Sequence, residues 1–476
     1  MKIIILGAGQ VGSSAAESLV SEANDITVVD TDGSRLALLQ ERYDLRTVVG
    51  NGALPETLRQ AGAGDADLLV AVTQSDQTNL VACRIARSLF NLPKRIARLR
   101  SADYFGHPEL LDDANFAVDF AISPEQEVTE YIVKLLEFPG ALQVLEFADG
   151  LVSLVAVRAR QGGPLVGRPL AEIRKHLPDV DARIAAIYRR DAAVTPRADT
   201  VIEDGDEVFF IAATKDIQQV LAEMRTAERR KVRRVMIAGG GNIGYRVARA
   251  IEGRYQVKVV EFQQGRAEWL ARELKSTLVL RGDSTDERLL DEENIDDMDV
   301  FLALTNDDEN NIMASLLAKR RGCWRAMALI NRRSYVELLE AGAIDVALSP
   351  ALISIGTLLA HVRRGDVAVV HSLRRGAAEA IEVVAHGDSA SSHVVGRRIR
   401  ELPHIEGAHV ACIVRERRGE AGRLRVPGAP PPADREVIMP RPDTVIESDD
   451  HVIVFLVSKK LIPKVEKLFQ VGVRYL

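Results

Sequence analysis

The chain has 476 residues, of which 47% are hydrophobic and 27% are charged, and its formal net charge is −6. This is the composition of a folded protein that is long enough for several domains. The small acidic excess gives no electrostatic sign of the basic patch or stripe that nucleic-acid binding favours, so we expect no nucleic-acid partner.

The cysteines and the apolar segments indicate the expected compartment. Cys83, Cys323 and Cys412 lie far apart, with neither metal-ligand spacing nor a disulfide framework, which favours buried thiols in a reducing cytosol. The apolar run Ile3–Leu6 stops at Gly7 and is too short for a signal-peptide core. No stretch of the sequence approaches the roughly 20 apolar residues that span a bilayer. Any work at a membrane is therefore expected to go through a partner.

The first 124 residues alternate short apolar strands with amphipathic helices. The predicted strands are Ile3–Leu6, Ile26–Val29, Leu68–Val72 and Arg95–Leu99. The predicted helices are Val11–Glu22, Arg35–Arg42, Leu54–Ala61 and Gln77–Phe90. This alternation predicts an α/β domain in which helices cover both faces of a doubly wound parallel sheet.

A Gly-x-Gly-x-x-Gly turn joins the first strand to the first helix. Gly7 permits a tight turn, Gly9 lets the backbone approach a pyrophosphate, and Gly12 lets the helix pack closely on the sheet. Asp30 follows the second strand, where a carboxylate accepts hydrogen bonds from an adenosine ribose and opposes the 2′-phosphate of NADP. The pattern therefore predicts NAD or a simple adenosine phosphate, bound at the N-terminus of the helix.

A module of a different kind follows this Rossmann-like domain. It begins with a predicted helix, Glu125–Glu137. Asp149-Gly150 predicts a hairpin between the strands Leu142–Ala148 and Leu151–Ala159, and the strand Glu207–Ala212 comes after a second turn. We interpret this module as a small α+β unit without a glycine-rich loop.

The second half of the chain repeats the first half in the same order. The glycine turn returns as Gly239–Gly244, and Glu261 stands in the place of Asp30. The predicted strands around this second turn are Val235–Ala238, Val257–Val260 and Val300–Ala303. Two pairs of segments in the small modules also match, Pro164–Leu170 with His393–Ile399 and Pro196–Val208 with Pro440–Val452. Several blocks in one order indicate a duplication.

Polar residues after the strands repeat as well. Gly50-Asn51 matches Gly282-Asp283, and Thr73–Asn79 matches Thr305–Asn311. Ligands of open α/β sheets bind beyond the carboxyl ends of the strands, where these residues are expected to lie. Arg98 is a candidate phosphate ligand at the end of a strand, with a surface salt bridge as the alternative. The second copy has Leu329 in its place, so the two sites are not expected to be equivalent.

Two segments fall outside the repeated pattern. The charged stretch Ala227–Arg234 precedes the second copy and is predicted to be a helix end and linker. The segment Arg418–Glu436 is rich in proline, glycine and arginine, which favours a surface loop because proline cannot donate backbone hydrogen bonds.

The surroundings of the glycine turns argue against catalysis. A dehydrogenase needs an acid or base beside the nicotinamide, and of the nine histidines only His107 falls in a glycine-turn module. A Gly-x-x-x-x-Gly-Lys-Ser/Thr phosphate loop does not occur. We therefore predict a binding protein rather than an enzyme, with an NAD-dependent oxidoreductase as the alternative.

The whole chain resembles the TrkA family, the regulatory subunits of Trk-type potassium uptake systems. The resemblance rests on Gly7–Gly12 with Asp30, on Gly239–Gly244 with Glu261, and on the paired segments Leu165–Leu170 and Val394–Ile399. It implies two RCK domains (regulators of potassium conductance), each with a Rossmann-like N lobe and a TrkA-C lobe. The implied bounds are 1–124 and 125–228 for the first domain, and 233–350 and 351–476 for the second.

The resemblance also implies a function. It implies a homotetrameric ring on the cytoplasmic face of the cell membrane, bound to a TrkH-like potassium-translocating subunit. Binding of NAD(H), with ATP and ADP as alternative ligands, would change the shape of the ring and open or close the pore. A regulator of another cation transporter, such as an antiporter, remains an alternative.

The residues that the resemblance assigns to the nucleotide sites lie at corresponding places in the two copies. In the first copy they are Gly7, Ala8, Gly9, Gln10, Val11, Gly12, Asp30, Asn51, Thr73, Gln74 and Arg98. In the second copy they are Gly239, Gly240, Gly241, Asn242, Ile243, Gly244, Glu261, Asp283, Thr305 and Asn306. No catalytic residue and no metal ligand is expected.

Overall fold

The computed structural model describes residues 1–20, 24–190, 192–224, 231–338, 344–362, 367–373, 378–416 and 435–470. The chain divides into two compact units, each made of two separate stretches of sequence. The first unit comprises Met1–Glu130 and Arg233–Val362, and the second comprises Tyr131–Val232 and Arg363–Leu476. Each unit thus combines corresponding parts of the two halves of the chain.

The first half begins with a six-stranded parallel sheet in the order β3-β2-β1-β4-β5-β6. Its strands are β1 Lys2–Leu6, β2 Asp25–Asp30, β3 Arg46–Val49, β4 Leu68–Ala71, β5 Lys94–Arg98 and β6 Phe120–Ile122. Its helices are α1 Gln10–Val20, α2 Gly33–Arg42, α3 Pro55–Gln60 and α4 Asp76–Phe90. This strand order is that of the Rossmann fold, in which the direction of winding reverses between β1 and β4.

The helix α5, Pro124–Glu137, leads into a five-stranded antiparallel sheet in the order β10-β9-β11-β8-β7. The strands are β7 Ala141–Phe147, β8 Val152–Arg158, β9 Ala182–Arg189, β10 Ala192–Val194 and β11 Glu207–Ala213, with the short helices α6 Ile173–His176 and α7 Ile217–Ala222. The predicted hairpin is confirmed, because β7 and β8 pair antiparallel. Its turn places Ala148, Asp149 and Gly150 at positive φ.

The second half forms another Rossmann sheet, in the order β14-β13-β12-β15-β16-β17. Its strands are β12 Arg234–Ala238, β13 Gln256–Glu261, β14 Leu278–Arg281, β15 Val300–Ala303, β16 Arg325–Leu329 and β17 Val346–Leu348. Its helices are α8 Asn242–Ile251, α9 Gln264–Glu273, α10 Glu287–Glu292, α11 Asp308–Arg320 and α12 Arg333–Leu338. The duplication that the sequence indicates is therefore a duplication of the fold.

The last module repeats the antiparallel sheet, in the order β18-β19-β22-β20-β21. Helix α13 Pro350–Val362 precedes β18 Val367–Leu373, β19 Ala378–Ala385, β20 Ala408–Glu416, β21 Arg435–Ile438, β22 Asp450–Leu456 and helix α14 Ile462–Phe469. Of the predicted loop Arg418–Glu436, the last two residues belong to β21, and residues 418–434 lie outside the described residues. Residues 227–230 of the predicted linker also lie outside them.

Each unit has its own contacts between the two halves of the chain. In the first unit, α13 packs on α1, and the ring of His361 stacks on Phe120 with the ring centroids 3.5 Å apart. In the second unit, both antiparallel sheets contribute to one hydrophobic core that includes Phe209 and Phe455. The pairing of equivalent parts means that each compact unit depends on both halves of the chain.

The three cysteines are buried, as the sequence predicts. All three cysteines are free and buried, and burial raises the pKa of the Cys83 thiol to about 12. Among the described residues, no helix combines the length and the apolar character needed to cross a membrane.

Candidate functional site

The first glycine of each turn is required by the backbone conformation. Gly7 has φ +104° and Gly239 has φ +99°, in the left-handed region that other residues rarely adopt. A Cβ on Gly7 would lie 3.1 Å from the carbonyl oxygen of Val72, at the end of the neighbouring strand β4. Both turns therefore bring the chain close to the point where the strand order reverses.

The last glycine of each turn permits close packing of a helix. A Cβ on Gly12 would lie 1.8 Å from the carbonyl oxygen of Gly7, and a Cβ on Gly244 would lie 1.9 Å from that of Gly239. Because these neighbours are backbone atoms, they cannot move aside as a side chain can. Both positions accept only glycine if the helix is to start where it does.

The middle glycine of each turn faces open space. A Cβ on Gly9 or on Gly241 would have no atom within 4 Å. Helix α1 starts at Gln10, helix α8 starts at Asn242, and both side chains are exposed. The first amides of a helix have no partner within the helix and attract anions. These helix starts therefore combine open space with backbone amides that can bind an anion.

The acidic residues lie beside the turns, as the sequence predicts. The Ala8 N–H donates to Oδ2 of Asp30 (2.5 Å), and the Gly240 N–H donates to Oε2 of Glu261 (2.7 Å). The remaining oxygen of each carboxylate accepts an N–H two residues further along the chain. Asp30 is half-buried, whereas Glu261 is only 9% exposed. Each acid is thus tied to its turn and to the start of the following helix segment by backbone hydrogen bonds to both of its oxygens.

The threonines after β4 and β15 are held by two buried asparagines, which were not among the predicted site residues. Oδ1 of Asn79 accepts from the Thr73 N–H (3.0 Å) and the Thr73 hydroxyl (2.7 Å), while its amide donates to the carbonyl of Arg98 (2.9 Å). Asn311 makes the same bonds to Thr305 and to the Leu329 carbonyl. The signal in the sequence was the repetition of Thr and Asn at the same spacing.

The other predicted loop residues lie at the same edge of each sheet. Asn51 accepts the N–H of Ala53, and Asp283 accepts the N–H and hydroxyl of Thr285, so both side chains shape turns. Gln74 and Asn306 are exposed. Each sheet therefore gathers its glycine turn, its acid and its polar loops at the carboxyl ends of its strands.

Arg98 lies at the end of β5 in an ion-pair cluster. Its Nη2 is 2.9 Å from Oε1 of Glu125 on α5, and Nε of Arg100 is 3.2 Å from the same oxygen. Glu125 is 6% exposed, and its Oε2 has no hydrogen-bond partner. Two guanidinium groups thus share one carboxylate oxygen, and the buried carboxylate of Asp76 accepts the backbone N–H of Arg100 at the same end of β5. In the second copy Leu329 and Asn331 take the places of these arginines.

Each turn combines the groups through which Rossmann-type sheets bind dinucleotides. The middle glycines leave open space beside the first helix amides, and the acids at the ends of β2 and β13 lie next to the same turns. Within the described residues, no group of three or more histidine, cysteine or acidic side chains is placed to hold a metal ion. The geometry of the two sites supports binding through backbone amides and a carboxylate.

Comparisons with known proteins match the whole chain. The TrkA-N domain family matches residues 3–124 and 235–350, and the TrkA-C domain family matches residues 154–225. A protein of Halomonas elongata named Trk system potassium uptake protein TrkA is 53% identical over 475 residues, which cover 100% of both chains.

Solved structures share the fold at low sequence identity. The structure described as the GsuK RCK domain has a TM-score of 0.58 and 19% identity, and the match covers 98% of this chain and 94% of that one. The structure described as the GsuK channel bound to NAD has a TM-score of 0.57 and 19% identity, with 98% and 78% covered. These two structures establish the likeness in fold.

Proposed function

Since the chain belongs to the TrkA family of Trk system potassium uptake proteins, we propose that it is a nucleotide-sensing regulatory subunit that gates a TrkH-like potassium-translocating membrane protein. The observation that carries the proposal is the pair of glycine turns, each bonded to an acid at the end of the next strand. The ligand class is NAD(H), with ATP and ADP as alternatives. The GsuK channel, which shares the fold, is described as bound to NAD.

Different residues of the first site would bind different parts of the ligand. The backbone from Gly9 to Val11 would receive the phosphates, and Asp30 would accept hydrogen bonds from the ribose hydroxyls. Arg98 would add positive charge on the phosphate side, at the end of β5. Asn51, Thr73 and Gln74 would line the remaining edge. These roles include no acid or base, so the ligand would bind and dissociate without being chemically changed.

The second site uses the corresponding backbone from Gly241 to Ile243 and the carboxylate of Glu261. Asp283, Thr305 and Asn306 take the places of the polar residues of the first site. Without a counterpart of Arg98, this site would bind phosphate through the helix amides alone at that end. We propose that the two sites therefore differ in affinity for the same nucleotides.

Gating requires that a nucleotide prefer one shape of the assembly. A difference in affinity of about 1.4 kcal/mol between two shapes changes their equilibrium about tenfold, and several sites on one ring multiply the effect. We propose a homotetrameric ring, attached at the cytoplasmic face of the membrane through the TrkH-like subunit. The ring would transmit the preference of its nucleotide sites to the pore.

Calorimetric titration of the purified protein tests the nucleotide sites. NADH, NAD, ATP and ADP are titrated into wild type, Asp30→Ala and Glu261→Ala. We expect Asp30→Ala to weaken nucleotide binding at the first site, and Glu261→Ala at the second site, by at least about tenfold. The reason is that the ribose loses its hydrogen-bond acceptor. Asp44→Ala, which removes an exposed carboxylate before β3, serves as the control and should bind like wild type. Unchanged binding by both site variants would show that the ribose is placed wrongly.

A further inference from the structure

The two copies hold the same turn carbonyl with side chains from different elements. In the first copy, the Ser13 hydroxyl on α1 donates to the carbonyl oxygen of Ala8 (3.0 Å). In the second copy, Tyr245 takes the place of Ser13, and Nε of Arg266 on α9 donates to the carbonyl oxygen of Gly240 (2.7 Å). The second turn is therefore held from across the site, by the helix that begins just after Glu261.

Aromatic rings keep Arg266 in this position. Its guanidinium carbon lies 4.1 Å from the ring centroid of Trp269 and 5.9 Å from that of Tyr245. The two rings contact each other with their centroids 4.8 Å apart. A guanidinium group over an indole ring is stabilised by the electrostatic attraction between the cation and the ring face.

The first copy lacks this arrangement. Arg35 takes the place of Arg266, but its Nε lies 3.3 Å from Oδ2 of Asp32, and both side chains are well exposed. Leu38, which is 57% exposed, takes the place of Trp269. In the second copy the residue at the place of Asp32 is Gln263, an uncharged residue. The hydrogen bond from Arg266 to the turn and the stacking of Arg266 on Trp269 are therefore found in the second copy and not in the first.

Helix α9 also supports the second turn by direct packing. A Cβ on Gly240 would lie 2.1 Å from Cδ1 of Leu270, so the turn rests on α9 where the first copy has the methyl group of Ala8. Glu261 bonds the Gly240 N–H on one side and the Gln263 N–H on the other, the latter just before α9. The turn, the acid and α9 thus form one connected block.

We propose that Arg266 is the positioning residue of the second site, which ties the phosphate-binding turn to α9 so that the turn and Glu261 keep a fixed separation. An adenine nucleotide must contact the turn with its phosphates and Glu261 with its ribose at the same time. It would then bind to groups that are already in position. A pre-arranged pocket binds more tightly because less ordering is required on binding. The inference rests on the proposed function of the second turn as a nucleotide site.

The test uses a protein in which the first site has been disabled by Asp30→Ala. ADP is titrated calorimetrically into this protein with and without Arg266→Ala, and we expect Arg266→Ala to weaken binding about tenfold. Adding Tyr245→Ser to Arg266→Ala places a hydroxyl where Ser13 stands in the first copy, and it should restore most of the affinity. The matched control, Arg35→Ala in a Glu261→Ala protein, should change binding at the first site less than about threefold.

The outcomes separate positioning from other roles. Unchanged or tighter ADP binding by Arg266→Ala overturns the proposal, and so does a loss that Tyr245→Ser fails to restore, because the arginine would then act on the ligand itself. Failure of the Asp30→Ala protein to bind ADP at all overturns the second site and this inference together. If the Asp30→Ala protein binds ADP and Arg266→Ala leaves its affinity unchanged, the inference alone is overturned and the proposed function stands.

Trp269 provides a readout that needs no ligand. The chain has two tryptophans, so Trp324→Phe leaves Trp269 as the only indole. In that background, Arg266→Ala should change the emission intensity of Trp269 because it removes the cation stacked on the ring. Identical emission spectra with and without Arg266→Ala contradict the stacked arrangement on which the proposal depends.

Discussion

At the scale of single residues, the three glycines of one turn meet three different requirements. Gly7 needs its positive φ, Gly12 needs the absence of a Cβ beside a backbone carbonyl, and Gly9 has open space around it. The first two requirements concern the fold of the protein alone. Only the third concerns a ligand, because the space beside Gly9 is the space that a phosphate would enter.

Alanine substitutions separate these roles. Gly12→Ala forces a methyl group against the carbonyl of Gly7 and should lower the free energy of unfolding by at least about 2 kcal/mol, measured by chemical denaturation. Gly9→Ala should leave stability unchanged but weaken NADH and ADP binding at the first site about tenfold, measured by calorimetry in the Glu261→Ala background. If Gly9→Ala binds normally, the ligand does not approach the turn as proposed.

The sequence predicted which residues belong to the candidate sites only where they form a motif with a fixed geometry. The turns Gly7–Gly12 and Gly239–Gly244, with Asp30 and Glu261, follow from spacing, because strand, turn and helix place them within a short stretch of chain. The contact of Arg266 with Gly240 joins residues on two different elements, and the ring of Tyr245 lies beside it. No local pattern encodes such a contact.

At the scale of elements, helices α5 and α13 bring a carboxylate into a partly buried position. Burial raises the pKa of Glu127 on α5 to about 6, while the neighbouring hydroxyl groups of Ser354 and Thr357 on α13 oppose the rise. The negative charges of Glu130 and Glu125 raise it further. Ionised Glu127 is therefore less favourable in the folded protein than in the unfolded chain.

The stability of the first unit should depend on pH through this residue. The pKa in the folded protein is above the ordinary value of 4.5, so the folded state binds the proton more tightly. The stabilisation is complete below about pH 4.5 and is lost as pH rises through 6, which amounts to roughly 2 kcal/mol. Glu127→Gln should raise the melting temperature at pH 8 and remove this loss, whereas Asp44→Asn, at an exposed position before β3, should not. Equal pH dependence in wild type and Glu127→Gln would contradict the assignment.

In the first Rossmann sheet the four central strands were predicted from the sequence and the two edge strands were not. The sequence predicts β15 with its observed bounds and β1 within one residue, because both are continuous apolar runs that are buried on both faces. Strands β3 and β6 were not predicted. Arg46–Val49 is half-exposed, Phe120–Ile122 has three residues, and each lies at an edge where one neighbour holds it. Their conformation depends on pairing rather than on their own pattern.

At the scale of the whole molecule, duplication has produced two equivalent folds with unequal sites. The first site has Arg98 and Arg100 around Glu125, and the second has Arg266 on Trp269 beside its turn. Each compact unit contains parts of both halves, so the two sites of one chain belong to the same unit. Under the proposed function, the two unequal sites of this unit would bind the same nucleotides with different affinities.

Potassium uptake by cells that lack this gene tests the central claim most directly. Uptake is measured in the deletion strain carrying wild type, the double variant Asp30→Ala/Glu261→Ala, or the control Asp44→Ala, with melting curves to show that each variant folds. The account predicts that deletion lowers uptake, that wild type and Asp44→Ala restore it, and that the double variant no longer responds to nucleotide levels. Normal uptake in the deletion strain, or full nucleotide-dependent regulation by the double variant, would contradict it.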